Sequence, residues 1–302
     1  MIKVHIVSGF LGAGKTTLIK KLVKFIKGKK VIIENEFGEV GIDGEIIERE
    51  NYDVVEMAQG CICCSMKSDF ETMIVSVIED YNPEHIIIEP TGIGMLSEIL
   101  KIFDKNDIEE KCVLTLPITV VDSLDYLLLI EEFGEFYKDQ VRNAGIIVLS
   151  KTQLIEEKNI DEIIKSIRNI NKSAEILYKD WNIFTELEYD DLTNIRFDCS
   201  KNSIEFVDEI KNIAENLQSY SIKNPKEFNK ESLGNMLDRL TDEDYGDIIR
   251  AKGFVYGEDG SLEFSYVNGR YSINENKNHN SNRMCLIGRN LNKEALSKKL
   301  NF

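Results

Sequence analysis

The sequence predicts an α/β protein, a mostly parallel sheet flanked by helices with a phosphate-binding loop at its first strand-to-helix turn, followed by a small α+β domain. Three observations predict it. Gly9-Phe-Leu-Gly12-Ala-Gly14-Lys15-Thr16 is a full G-x-x-x-x-G-K-[ST] pattern. Short apolar runs alternate with segments of helical periodicity over the first two thirds of the chain, the signature of strands joined by crossover helices. Beyond residue 218 the character changes to a polar stretch and then to shorter, alternating runs.

The first strand is Ile2, Val4, Ile6 and Val7, and the first helix carries Leu18, Ile19, Leu22, Val23 and Ile26 at helical spacing. Further strands are expected at Val31-Ile33, Val54-Met57, Ile86-Ile88, Val113-Val121, Ile146-Leu149 and Ile176-Tyr178. Phe70, Met73, Ile74, Val77, Ile78 and Tyr81 mark one helix between them, and Ile160, Ile163, Ile164 and Ile167 another. Residues 1–218 are read as one domain. Ser219 to Glu231, polar and containing Pro225, is read as a linker. Residues 232–302 then form the second domain: a helix over Leu233–Leu240, a strand over Ile248–Tyr256, a hairpin turn at Glu258-Asp259-Gly260, strands over Leu262–Val267 and Met284–Ile287, and a helix from Asn292. The Asn-rich tract Asn274–Asn282 is read as a loop.

The chain has 302 residues, 42% of them hydrophobic, and a net charge of −16 from 53 acidic and 37 basic side chains. An acidic surface of this size repels phosphodiester backbones and anionic headgroups, so neither nucleic acid nor a membrane is an expected partner. No apolar run approaches the length of a membrane span, and the N-terminus opens directly on the first strand, which predicts a cytoplasmic protein.

The loop specifies a nucleotide site. Backbone amides of Gly12, Ala13, Gly14, Lys15 and Thr16 are expected to wrap the β-phosphate, helped by the positive end of the following helix. Lys15 should reach the β- and γ-phosphates, the Thr16 hydroxyl should coordinate Mg²⁺, and Thr17 lies within reach of the α-phosphate. Glu89, closing the strand Ile86-Ile87-Ile88, is the expected second acidic group, holding a Mg²⁺-bound water or orienting the attacking one. The amide of Gly92 is placed to sense the γ-phosphate. Ile93 stands where a water-positioning glutamine would follow, so slow intrinsic hydrolysis is expected. Base recognition falls to Ser150-Lys151-Thr152-Gln153, where Lys151 can lie along the base. Gln153 offers a neutral oxygen where many GTPases carry an aspartate. GTP is the expected nucleotide, with ATP use open.

Of six cysteines, Cys61, Cys63 and Cys64 fall within four residues, while Cys112, Cys199 and Cys285 are scattered in apolar contexts. Three thiolates at this spacing can converge on one soft or borderline metal, with Glu34 or Glu39 as a fourth ligand. The spacing leaves redox chemistry, a cluster shared between two chains, and inert thiols open beside metal binding. His5, His85 and His279 are isolated and are read as structural.

Taken together, Gly9 to Thr17, Glu34-Asn-Glu-Phe-Gly-Glu-Val-Gly41, Gly60-Cys-Ile-Cys-Cys64 and Glu89-Pro-Thr-Gly92 resemble the CobW family of SIMIBI-class P-loop GTPases. Arg250-Ala-Lys-Gly-Phe254 and Ile287-Gly-Arg-Asn-Leu291 resemble that family's C-terminal domain, so the likeness runs through nearly the whole chain. The resemblance implies GTP, Mg²⁺, and a Zn²⁺ or Co²⁺ site in which Glu34 joins Cys63 and Cys64. It further implies a metallochaperone or metalloenzyme activator whose switch segment, Glu34 to Asp43, couples metal to nucleotide. The alternative within the same resemblance is a nucleotide-gated adaptor acting on a cobalamin-dependent or other metalloprotein, its own metal being structural. The expected partner is a client metalloprotein met through the C-terminal domain, with a homodimer as a further option. Gln153 departs from the family's guanine-reading aspartate, and the histidine-rich tract of some members is absent.

Overall fold

The computed structural model describes residues 1–34, 52–56, 67–92, 94–103, 108, 110–197, 204, 217–257, 260–276 and 282–300. They form two compact units, the second covering Glu215–Phe302.

The first unit is a parallel sheet. Its strands are β1 (Ile2–Gly9), β2 (Lys30–Glu34), β3 (Asp53–Glu56), β4 (His85–Glu89), β5 (Cys112–Leu114), β6 (Ile118–Asp122), β7 (Ile146–Ser150) and β8 (Glu175–Leu177), in the spatial order β3-β2-β4-β1-β6-β7-β8. The helices are α1 (Lys15–Phe25), α2 (Lys67–Tyr81), α3 (Leu96–Phe103), α4 (Tyr126–Arg142), α5 (Glu157–Ile170) and α6 (Glu186–Asn194). β4 and β7 carry unbroken apolar runs, Ile86–Ile88 and Ile146–Leu149, because both faces of the sheet are covered. One core holds Val4, Ile6, Phe70, Ile74 and Ile99, and the other holds Val7, Leu18, Leu22, Ile87 and Val148.

The single run expected over Val113–Val121 is two strands. β5 pairs with the start of β1 at Ile2–Val4, and β6 with its end at Val7–Gly9. Pro117, lacking an N–H, sits in the break between them. Thr115 bridges the gap, its N–H and its hydroxyl both donating to the Val4 carbonyl at 2.9 and 3.2 Å.

His5 lies inside this sheet at 1% exposure, with Nε2 3.0 Å from Nδ1 of His85 and Nδ1 3.1 Å from the Thr115 hydroxyl. Burial, then the charges of His85 and Lys3, lowers its pKa from 6.5 to about 3. The folded state therefore holds it neutral where the unfolded chain would take up a proton. Its contribution is fully present above pH 6.5 and is lost as pH falls toward 3, at about 1.4 kcal/mol per pH unit. Urea unfolding at pH 7, 6 and 5 should show this slope, and His5→Gln should flatten it.

In the second unit, β9 (Leu217–Lys223), β10 (Asp247–Gly257), β11 (Gly260–Val267), β12 (Arg270–Asn276) and β13 (Arg283–Arg289) make an antiparallel sheet ordered β12-β11-β10-β13-β9. Helices α7 (Lys230–Asp238) and α8 (Lys293–Leu300) bury Leu233, Leu237, Leu296 and Leu300 in a core with Val255, Phe264 and Leu286. Two expectations are corrected here. The segment read as a linker, 219–231, supplies most of β9, the Asn229 cap and the start of α7. Tyr220 and Ile222 alternate inward against this core, and Asn229 accepts from the Ser232 amide in a capping box. The Asn-rich tract read as a loop begins as strand, because β12 runs to Asn276 with Ile273 facing the same core. Of the expected hairpin turn, Glu258 and Asp259 lie outside the described residues, while the flanking Gly257 and Gly260 are paired. Among the described residues no helix is long and apolar enough to cross a membrane.

Candidate nucleotide site

β1 delivers the phosphate-binding loop to the carboxyl end of the sheet. Gly9, Gly12 and Gly14 take φ values of +145°, +78° and +102°, a left-handed path that L side chains rarely adopt. At Gly9 a Cβ would lie 2.4 Å from the Val120 carbonyl oxygen. Gly14 precedes α1, so the helix begins at Lys15 with its first amides directed at the loop. Lys15 is 7% exposed, and its Nζ is 3.4 Å from the Phe10 carbonyl oxygen. The Ala13 amide bonds that same carbonyl, closing the loop's turn.

Glu89 ends β4 beside β1, and its carboxylate oxygens accept from the Thr16 hydroxyl at 2.9 and 3.1 Å. A hydroxyl and a carboxylate converging one residue past the loop lysine are hard oxygen ligands suited to Mg²⁺. The expected catalytic and Mg²⁺ residues Lys15, Thr16 and Glu89 are thus brought to one edge of the sheet.

Gly92 sits against the same loop. A Cβ there would lie 2.6 Å from the Leu11 amide nitrogen, so only glycine permits this approach. Its position is held from behind by α4, where Gln140 Nε2 donates to the carbonyls of Gly94 at 2.8 Å and Gly92 at 3.3 Å. Phe133 and Tyr137 of α4 also pack on Phe10, with ring centroids 4.7 and 5.4 Å away. One helix, bent at Gly134 (φ 49°, ψ −125°), therefore supports both loops. Ile93 lies outside the described residues.

Beside the loop opens a cavity of about 260 Å³ lined by Gly14, Thr17, Lys151, Gln153, Asp180 and Trp181, among others. Lys151 takes a left-handed φ of +58°, and its ammonium pairs with the Asp122 carboxylate, which is 3% exposed at the end of β6. Gln153 is exposed. Asp122, Asp180 and Trp181 were not anticipated. Asp122 carried the same signal as Glu89, an acid closing an apolar strand. Asp180 and Trp181 follow β8 in an aperiodic segment that meets the loop only through the fold.

Glu34 is buried at the end of β2, in register with Glu56 of β3 and Glu89 of β4. Cys61, Cys63 and Cys64, expected to join it, lie outside the described residues, as do Glu39, Cys199 and His279. Cys112 and Cys285 are buried, and burial raises the pKa of Cys112 to about 11, which suits a core residue.

A family model described as "CobW/HypB/UreG, nucleotide-binding domain" matches residues 3–178, and one described as "Cobalamin synthesis protein cobW C-terminal domain" matches 217–301. Among similar proteins, "Zinc chaperone CobW" of Sinorhizobium sp is 32% identical over 54% of this chain and 54% of its own length. "Zinc-regulated GTPase metalloprotein activator 1" of Dictyostelium discoideum is 28% identical over 84% of this chain and 63% of its own. "Zinc chaperone YjiA" of Escherichia coli K12 is 30% identical over 58% of this chain and 56% of its own. The chain thus spans between about half and two thirds of these relatives.

Proposed function

This chain belongs to the CobW/HypB/UreG family of nucleotide-binding proteins, and from that premise we propose that it is a GTP-hydrolysing metallochaperone or metalloenzyme activator. The observation that carries the nucleotide half is the meeting of Thr16 and Glu89 beside Lys15 at the mouth of the loop. Loop amides from Gly12 to Thr16 bind the β-phosphate, Lys15 bridges β and γ, and the Thr17 side chain reaches the α-phosphate. Thr16 and Glu89 hold Mg²⁺, which when bound neutralises charge on the β- and γ-oxygens. Glu89 also orients the attacking water, and the Gly92 amide reads the γ-phosphate. With no glutamine after Gly92, intrinsic turnover is slow.

The metal half is supported by the C-x-C-C run and by the names of the relatives, two of them zinc chaperones and one a zinc-regulated activator. The proposed ligands are Cys61, Cys63, Cys64 and Glu34, with Zn²⁺ or Co²⁺ as cargo for a client metalloprotein that docks on the C-terminal domain. Coupling of 1–3 kcal/mol between nucleotide and metal would change metal affinity by roughly 5–150-fold.

The test is a Co²⁺ titration of the reduced full chain, following the thiolate-to-metal absorption band with GDP and with a non-hydrolysable GTP analogue. The band should vanish in Cys63→Ala and in Cys64→Ala, and the Co²⁺ affinity should differ between the two nucleotide states. Equal affinity in both states would defeat coupled metal handling and leave a nucleotide-gated adaptor.

A further inference from the structure

We propose that Asp180, and not residue 153, supplies the carboxylate that selects guanine over adenine in the cavity beside the phosphate loop, an assignment that rests on the nucleotide reading above. Of the cavity's lining residues, Lys151 and Asp180 carry charge. Lys151 is committed to Asp122. Gln153 is exposed, and its amide presents a donor and an acceptor side by side, a pair that can be turned to suit either purine. Asp180 is acceptor-only when ionised. Guanine offers two donors on its pairing edge, N1–H and the 2-amino group, where adenine offers the bare N1 acceptor. A carboxylate is matched by the first and repelled by the second.

The geometry suits such a reader. Oδ1 of Asp180 accepts from the Asn182 amide at 2.9 Å and from the Asn182 side chain at 2.8 Å, which fixes the rotamer. Oδ2 carries no hydrogen bond among the described residues. The segment carrying Asp180 lies beside the phosphate loop. An atom of the Trp181 ring lies 3.1 Å from where a Gly14 Cβ would stand, and the Tyr189 hydroxyl donates to the Trp181 carbonyl at 2.7 Å. The carboxylate, its rotamer set by Asn182, thus stands beside the phosphate loop, the kind of preorganisation that turns a hydrogen bond into discrimination.

The experiment is calorimetric titration of the full chain and of Asp180→Asn with the diphosphates of guanosine, inosine, xanthosine and adenosine, all with Mg²⁺. Asparagine keeps the oxygen that caps the turn and loses the charge. The wild type should prefer GDP to ADP, and should bind the inosine nucleotide, lacking the 2-amino group, more weakly than GDP. In Asp180→Asn, GDP affinity should fall by about 10- to 100-fold, the range for one hydrogen bond to a charged group. ADP should not weaken, and the xanthosine nucleotide, whose C2 carbonyl can accept from the new amide, should gain. An unchanged GDP-to-ADP ratio in Asp180→Asn, with the ratio moving instead in Gln153→Ala, would overturn the assignment and return base reading to residue 153. Equal GDP and ADP affinity in the wild type would overturn it while sparing the nucleotide reading. Failure of the wild type to bind any of the four would overturn both.

Discussion

Lys15→Ala should reduce GTP affinity by about 2–5 kcal/mol, or roughly 30- to several-thousand-fold, the cost of deleting one partner from a desolvated charge pair. The magnitude follows from where the lysine sits. At 7% exposure it opens α1 inside the loop, so a phosphate arriving there meets a cation already stripped of much of its water. With the cation gone, the loop amides still face the phosphates, and residual binding should come from them alone. Calorimetric titration with GTP and GDP separates the two contributions, because the larger loss should fall on the triphosphate. Equal losses for both nucleotides would mean that Lys15 does not reach the γ-phosphate.

Gly9→Ala should destabilise the first unit by about 3–5 kcal/mol, combining backbone strain with overpacking. Two independent features converge on this residue. Its φ of +145° is one that alanine adopts only under strain, and the added methyl would stand 2.4 Å from a main-chain carbonyl oxygen of Val120, which cannot rotate away. Gly9 and Val120 are also register partners in the β1–β6 pairing, so relief by movement would disturb the centre of the sheet. For a unit of this size the loss corresponds to a melting temperature lower by roughly 6–20 °C. Calorimetric melting checks it, and a variant that melts like the parent would contradict the geometry.

What was legible in the sequence was what contiguous residues encode. The loop from Gly9 to Thr16 states its own chemistry in eight positions, and the apolar run ending in Glu89 marks both a buried strand and the acid at its mouth. Asp122 closes a run of the same kind but was hidden by a misread strand. Val113 to Val121 looks continuous until Pro117 is seen to divide it between the two ends of β1. Asp180 and Trp181 had no periodic signal, since their meaning lies in proximity to Gly14 across a long stretch of chain. In the second unit, Tyr220 and Ile222 alternate with serines, and Tyr271 and Ile273 with Ser272 and Asn274. Each pair is too short and too polar to stand out as strand, although Tyr220 and Ile222 of β9 and Ile273 of β12 pack on the core while Tyr271 stays exposed.

The order of the C-terminal sheet sets a timetable for its synthesis. β9 is the first strand of its unit to be made, yet its neighbour in the sheet is β13, nearly the last. On the ribosome, the backbone amides and carbonyls of Leu217–Lys223 therefore wait unpaired until Arg289 has emerged, while the β10–β11–β12 meander can close on itself at once. A waiting strand is an open edge for any passing chain. Polar side chains such as Lys223, in the segment that reads as a linker, suit an edge that must wait for its partner.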